Sequence, residues 1–298
     1  MKGNIYIFSE VEIRRSGSYL SIGGKRVPLS VIEALYILTP KGRITQGALS
    51  FLLKQKRPIY LFDRRFNLYG QLLPHPFQSN YRLRLAQYRS WGDLGIGKLI
   101  ILRKIEGIEQ VIGRRLGEAR ARLERAETLQ QLLGVEGQAS TLMFKRFRQE
   151  LEKEGITCFK SREYRPPPDP VNGLLSFLYT LYYGYIVGQL IGEGFDPYIG
   201  FLHLKRGDHA VLASDLMEPV RPQLTWLALE LLPTLYPTQF EGVHLTSAGG
   251  KVVVSRFEEF LEGHQNRLIG EVKGILLERS REEERGEISL KLPDRGEG

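Results

Sequence analysis

The chain has 298 residues, 42% of them hydrophobic and 26% charged, which excludes a disordered or fibrous protein and gives length enough for two domains. A formal net charge of +8 favours a polyanionic partner, while a lone cysteine, Cys158, excludes an intrachain disulfide and fits a reducing compartment. There is no Walker-type phosphate loop, no dinucleotide fingerprint and no Cys/His zinc spacing, so nucleotide-driven and zinc-ribbon chemistries lose their main support.

At the start of the chain the apolar stretch is too short for a secretory signal, so a cytoplasmic protein is expected. Residues 1–77 hold twelve Lys/Arg against four Asp/Glu, leaving thirty of each beyond, so the positive excess sits wholly in this first part. Short β-branched and aromatic runs at 5–8, 19–22, 34–38, 58–62 and 66–73 predict strands, punctuated by Gly23-Gly24 and Asn67. One helical stretch, 46–54, interrupts them. This predicts a small β-rich domain over residues 1–77, closed by Pro74-His75-Pro76, and a linker over 78–85.

Beyond the linker the apolar spacing changes to three and four residues, predicting helices at 99–133 (one long helix or a pair), 139–154, 171–191, 220–232 and 255–277. Residues 86–277 therefore read as an all-α domain, and 278–298, without an apolar face, as a loose charged tail. The fold class is α+β multidomain, with the small β-rich domain first and a larger helical domain after it. Residues 170–192 carry no charge and are long enough to span a bilayer. Asn172, Ser176, Thr180, Gln189 and four tyrosines spread along them, with no basic flank, so the reading is a buried helix and no membrane partner.

The chemistry-bearing residues cluster between 198 and 222. His203 follows the apolar run 198–202 and precedes Lys205 and Arg206, whereas His75, His209, His244 and His264 read as surface or core histidines. Asp215 and Glu218, three apart, lie in an apolar setting where unpaired carboxylates are unfavourable and a cation would offset the penalty. One imidazole and two carboxylates can hold a divalent metal. The alternative needs no metal: carboxylates near the positive end of a helix. Pro219 biases Glu218 away from helical φ/ψ, which weakens the shared face. Glu136 stands between Gly134 and Gly137, where the helical region is expected to break and restart, an odd place for a solvated Glu. Two basic groups, Lys145/Arg146/Arg148 and Lys160/Arg162/Arg165, can neutralise phosphates or form solvated helix faces.

Four ordered motifs carry a resemblance: Glu136-Gly137-x-Ala139; Arg165-Pro166-Pro167-x-Asp169-Pro170-Val171-Asn172-x-Leu174-Leu175-Ser176-Phe177-x-Tyr179; Gly200-Phe201-Leu202-His203; and Asp215-Leu216-Met217-Glu218-x-x-Arg221-Pro222. Together with Val27-Pro28-Leu29 they resemble the CRISPR-associated adaptation integrase, the larger of the two near-universal spacer-acquisition proteins, over the chain up to about residue 260. The resemblance implies a metal-dependent DNA endonuclease and integrase that inserts spacer DNA into a CRISPR array by attack of a 3′-hydroxyl on a phosphodiester. It implies a metal held by Glu136, His203 and Glu218, with Asp215 as a further catalytic acidic residue beside them. Mg²⁺ or Mn²⁺ suits that donor set. The implied partners are double-stranded DNA (spacer precursor and CRISPR repeat/leader), a second copy through the β-rich domain, and the small universal adaptation protein.

Lys160, Arg162, Arg165, Lys205, Arg206 and Arg221 are candidates to hold the DNA backbone. Met143, Asp208-His209 and Pro219 depart from the usual family pattern, which bears on local DNA contacts more than on the ligand types. Two other readings stay open: a metal-dependent nuclease for branched DNA in repair, and a non-catalytic DNA-binding scaffold whose acidic residues are structural.

Overall fold

The structure, a computed structural model, describes residues 3–63, 68–75, 80–163, 166–204, 209–264 and 267–285. Strands β1 (Gly3–Ile7), β2 (Glu12–Ser16), β3 (Tyr19–Ile22), β4 (Lys25–Pro28), β5 (Ile32–Ile37), β6 (Arg43–Ile44), β7 (Ile59–Phe62) and β8 (Leu68–Leu72) enclose one helix, α1 (Gln46–Lys54). A mostly helical region follows: α2 (Tyr81–Arg89), α3 (Leu94–Ile112), α4 (Gly117–Arg125), α5 (Leu129–Lys153), α6 (Pro170–Glu193), α7 (Val211–Met217), α8 (Arg221–Leu235), a β9/β10 hairpin (Phe240–Glu241, His244–Leu245), α9 (Ser247–Gly263) and α10 (Leu268–Glu284). The β-rich start and helical remainder are the fold class expected from the sequence.

The strands form two four-stranded sheets, in the orders β1-β5-β7-β8 and β4-β3-β2-β6. In the first, β1, β5 and β7 run parallel and β8 returns antiparallel. Ile7, Ile13, Leu20, Ile32, Leu35 and Ile59 from both sheets share one core with Ala48 and Leu52 of α1. That helix starts where the Thr45 hydroxyl accepts from the Ala48 amide at 3.3 Å. Strands β2 and β4 escape a reading by hydrophobicity because charged residues fill them. They form as hairpin arms instead: Ile22 pairs with Lys25 across Gly23-Gly24, both at positive φ (55° and 83°), the two-residue turn that matches strand twist.

The chain divides into two compact units that are not contiguous in sequence. One gathers Met1–Phe77, Glu163–Gly184 and Leu231–Gln265; the other gathers Gln78–Arg162, Tyr185–Glu230 and Asn266–Gly298. Later helices complete the first unit because its sheet needs cover: Glu258 of α9 accepts from Asn4 Nδ2 at 2.8 Å and from the Tyr6 hydroxyl, and Gly184 of α6 lies against Tyr60. The segment 169–173 reads as structure here. Asp169 accepts from the Asn172 amide at 2.8 Å and from Asn172 Nδ2 at 2.7 Å, while Asn172 Oδ1 accepts from the Glu163 amide at 2.9 Å. Gly173 is then pressed so close to the hairpin that a Cβ would stand 1.9 Å from the Val243 carbonyl oxygen.

Several boundaries differ from expectation. Helix α2 begins inside the expected linker 78–85, because Asn80 Oδ1 accepts from the Leu83 amide at 3.3 Å and caps it. Helix α10 runs on through Glu284, into the expected tail. Ion pairs hold it: Arg279 with Asp93 at 2.8 Å, and Arg89 with Glu283. The expected single helix 255–277 is two, α9 and α10, and 99–133 is α3, α4 and the start of α5. Helix α5 does not break near Glu136. Glycine weakens a helix interior by about 1 kcal/mol without abolishing its hydrogen bonds, and both Gly134 and Gly137 are accommodated. The charge-free segment forms α6, whose most apolar window has mean hydropathy 1.3 and is 61% buried inside the protein, as the buried-helix reading expects.

Two substitutions of the same kind therefore have opposite outcomes. Gly173→Ala loses about 3 kcal/mol of stability through overpacking. Gly134→Ala, exposed in α5 with open space around its Cβ position, gains up to about 1 kcal/mol. Urea unfolding of the two variants against the parent measures both.

Candidate active site

Helix α3 carries a buried stripe, Ile100, Ile101, Ile105 and Ile108, and Lys104 falls within it. Gly107, one turn on, lets the α3 backbone approach the 3₁₀ turn Glu218–Val220. A Cβ there would stand 2.8 Å from the Pro219 carbonyl oxygen. The approach brings the Lys104 ammonium to 2.6 Å from Glu218 Oε2, and the same nitrogen contacts Glu136 Oε1 of α5. Ser140, one turn along α5, donates its hydroxyl to Glu136 Oε1 at 2.7 Å, and Arg221 Nε lies 3.3 Å from Glu218 Oε1. Two carboxylates from distant parts of the chain thus meet on one buried cation.

The electrostatics follow from that arrangement. Burial on its own pushes the Glu218 carboxyl up, but the charges of Arg221, then Lys104 and His203, outweigh it and hold the group at about 2. Burial likewise pulls Lys104 down, and Glu218 and Glu136 more than reverse it, so its pKa is raised. Both partners are ionised at neutral pH.

Asp215, in α7, is fully buried and differently satisfied. Its Oδ2 accepts from the amides of Phe201 at 2.7 Å and Leu202 at 2.9 Å, and its Oδ1 from the His203 amide at 3.2 Å. Position 200 must be glycine for this: a Cβ would stand 2.6 Å from Asp215 Oδ2. The same Oδ1 lies 2.6 Å from His203 Nδ1, so that nitrogen carries the proton it donates to the carboxylate and Nε2 points away from Asp215. His209, which reads as an ordinary histidine in the sequence, places Nε2 2.5 Å from the hydroxyl of Ser214, Asp215's neighbour.

Glu136 is therefore mid-helix rather than at a helix break, and Glu218 adopts helical φ −52°, ψ −43° despite Pro219. Pro219 here enters the 3₁₀ turn that continues α7, and buried contacts on both sides override the local bias. Lys104 escapes a reading by residue type because lysines are common on helix faces. Its signal is position: it lies three residues after Ile101 and four before Ile108, on the apolar stripe.

Of the basic candidates, Lys160 is exposed, Arg162 is half-buried, Arg221 stands beside Glu218, and Arg165, Lys205 and Arg206 lie outside the described residues. Arg146 pairs with Glu150 at 2.6 Å and Arg148 with Glu152 at 3.5 Å along α5, the pattern of a solvated helix face.

Among the described residues, no three of His, Cys, Asp and Glu are gathered closely enough to close on a metal as the side chains stand. Lys104 occupies the convergence point of the two glutamates. The donor chemistry itself fits a hard divalent ion: Glu136 and Glu218 share one focus, and the His203 ring is oriented by Asp215.

Sequence comparison matches residues 5–259 to the family described as CRISPR associated protein Cas1. The chain belongs to the Cas1 family. Curated relatives include the CRISPR-associated endonucleases Cas1 1 of Thermus thermophilus, 32% identical over 74% of this chain and 73% of the relative, and Cas1 2 of Rhodospirillum rubrum, 31% identical over 86% and 85%. Among solved structures, a Cas1 protein from Thermotoga maritima superposes with TM-score 0.81 at 22% identity, covering 95% of this chain and 96% of that one. A casposase bound to integration product gives 0.73 at 19% identity, covering 100% and 95%. A Cas6-RT-Cas1–Cas2 complex also gives 0.73 at 19% identity, covering 98% of this chain and 36% of that one.

The Glu218 carboxyl, held at about 2 against an ordinary 4.5, ties stability to pH. Because the folded value is depressed, its contribution, on the order of 3 kcal/mol, is complete above pH 4.5 and lost as pH falls toward 2. In metal-free protein, acid unfolding followed by circular dichroism shows parent and Glu218→Gln a constant distance apart above pH 4.5 and converging as pH falls from there toward 2.

Proposed function

We propose that this Cas1-family chain is a metal-dependent DNA endonuclease and integrase that joins a DNA 3′-hydroxyl to a phosphodiester of a CRISPR array. The observation that carries the reading is the meeting of Glu136 and Glu218 at one point, beside an imidazole whose tautomer Asp215 fixes. Supporting it are the relatives named as CRISPR-associated endonucleases and the fold shared with a casposase bound to integration product.

Glu136, Glu218 and His203 Nε2 would hold Mg²⁺ or Mn²⁺. Such an ion, once bound, favours the deprotonated attacking hydroxyl and offsets charge developing on the phosphate. Asp215 is a positioning residue: it keeps the proton on Nδ1 and the ring aimed, and its own charge is spent on three backbone amides. Arg221 holds Glu218 ionised and adds positive charge next to the place a scissile phosphate would take. Exposed Lys160 and half-buried Arg162 are candidates for the DNA backbone. One phosphodiester forms as one breaks, so no nucleotide hydrolysis is required, in keeping with a sequence that has no Walker motif.

Pairing of two copies through the β-rich unit, a cytoplasmic setting and a small Cas2-type partner belong to the same reading, supported for the partner by the fold shared with a Cas1–Cas2 complex.

The test is strand joining of a linear duplex into a supercoiled repeat-containing plasmid, with and without the small partner, in Mn²⁺ or EDTA. Joining requires the metal, is lost in Glu136→Ala and His203→Ala, and falls about 10- to 100-fold in Asp215→Asn. Joining that persists in EDTA or in Glu136→Ala contradicts the reading. Cleavage without joining moves it to a branched-DNA nuclease, and binding without either moves it to a scaffold.

A further inference from the structure

We propose that Lys104 is an internal cation that keeps the Glu136 and Glu218 carboxylates assembled while no metal is bound. The inference rests on the reading of that pair as metal ligands, and it concerns what holds them before the metal arrives.

Lys104 is buried in the apolar stripe of α3, where an ammonium is unfavourable unless fully paired. Its nitrogen has two anionic partners, Glu218 Oε2 at 2.6 Å and Glu136 Oε1, one from the turn after α7 and one from the middle of α5. Two carboxylates brought to the same point repel each other unless a positive charge stands between them. Ser140 helps Glu136 with a neutral hydroxyl, and Arg221 lies on the other oxygen of Glu218, so the contact common to both carboxylates is Lys104. Lys104 takes one oxygen from each, and the second oxygen of Glu218 lies 3.3 Å from Arg221 Nε. The cation is univalent and has a single attachment, α3, so the clamp depends on the close approach of α3 to the turn at Gly107.

The role predicts a stability pattern that a lysine serving only to fill space would not produce. Thermal unfolding of the full chain is measured for parent, Lys104→Met, and a triple variant adding Glu136→Gln and Glu218→Gln, each in EDTA and in saturating Mn²⁺. Methionine matches the volume, so the change is one of charge. In EDTA, Lys104→Met unfolds on the order of 5–10 °C below the parent. The triple variant regains most of that loss, because neutral amides no longer repel. Mn²⁺ raises Lys104→Met by more degrees than it raises the parent.

If Lys104→Met does not fold in EDTA, recovery of folding in the triple variant reads the same result. An unchanged Tm in Lys104→Met, a loss the glutamines do not relieve, or an Mn²⁺ increment no larger than in the parent overturns the role of Lys104. Mn²⁺ that stabilises neither parent nor Lys104→Met while the glutamines do rescue overturns the metal reading of the pair, together with the proposal that the clamp serves a metal site.

Discussion

A buried ammonium between two carboxylates is the constraint on which the site depends. Lys104 can lie at 2.6 Å from Glu218 and in contact with Glu136 only if α3, α5 and the turn after α7 come together without solvent between them. Gly107 supplies the space on one side, and the surrounding isoleucines exclude water on the other. Low local polarity then magnifies each charge interaction. That is why Glu218 stays ionised where burial alone would protonate it.

The three acidic residues of the site have distinct means of satisfaction, and chemistry follows from them. Asp215 is bonded by three backbone amides and an imidazole, a set of fixed donors that makes it part of the scaffold and a rudder for His203. Glu136 and Glu218 are held by side-chain cations instead, Lys104 for both and Arg221 for Glu218. A carboxylate locked by backbone amides suits positioning; one balanced by a side-chain cation suits binding an ion. His203, attached to the first kind and near the second, links them.

How much of this is legible in the sequence depends on whether the cue is local. The α1 and α6 helices, the strands β3, β5 and β7, and the segment around His203, Asp215 and Glu218 announce themselves by residue type and period. Strands β2 and β4 do not, because their cue is a pair of glycine-containing turns rather than an apolar run. Glu136 reads as a break because its neighbours are glycines, yet helix continuity is decided by the contacts of Leu132, Val135, Ala139 and Met143 on its buried face. Lys104 is the largest omission. A lysine on an apolar stripe acquires meaning only when two acids from other segments arrive beside it, which is information about tertiary structure. Pro219 shows the reverse: a local bias that is clear in the sequence and that burial overrides.

The proposed reading has Glu136, Glu218 and His203 Nε2 hold one divalent ion. The most direct test is anomalous diffraction from crystals of the full chain grown with Mn²⁺. The account predicts one strong peak, coordinated by Glu136, His203 and Glu218, with Asp215 behind the imidazole and outside the coordination sphere. A peak bound directly to Asp215 without the glutamates, or saturating Mn²⁺ with no peak at these three residues, would contradict it.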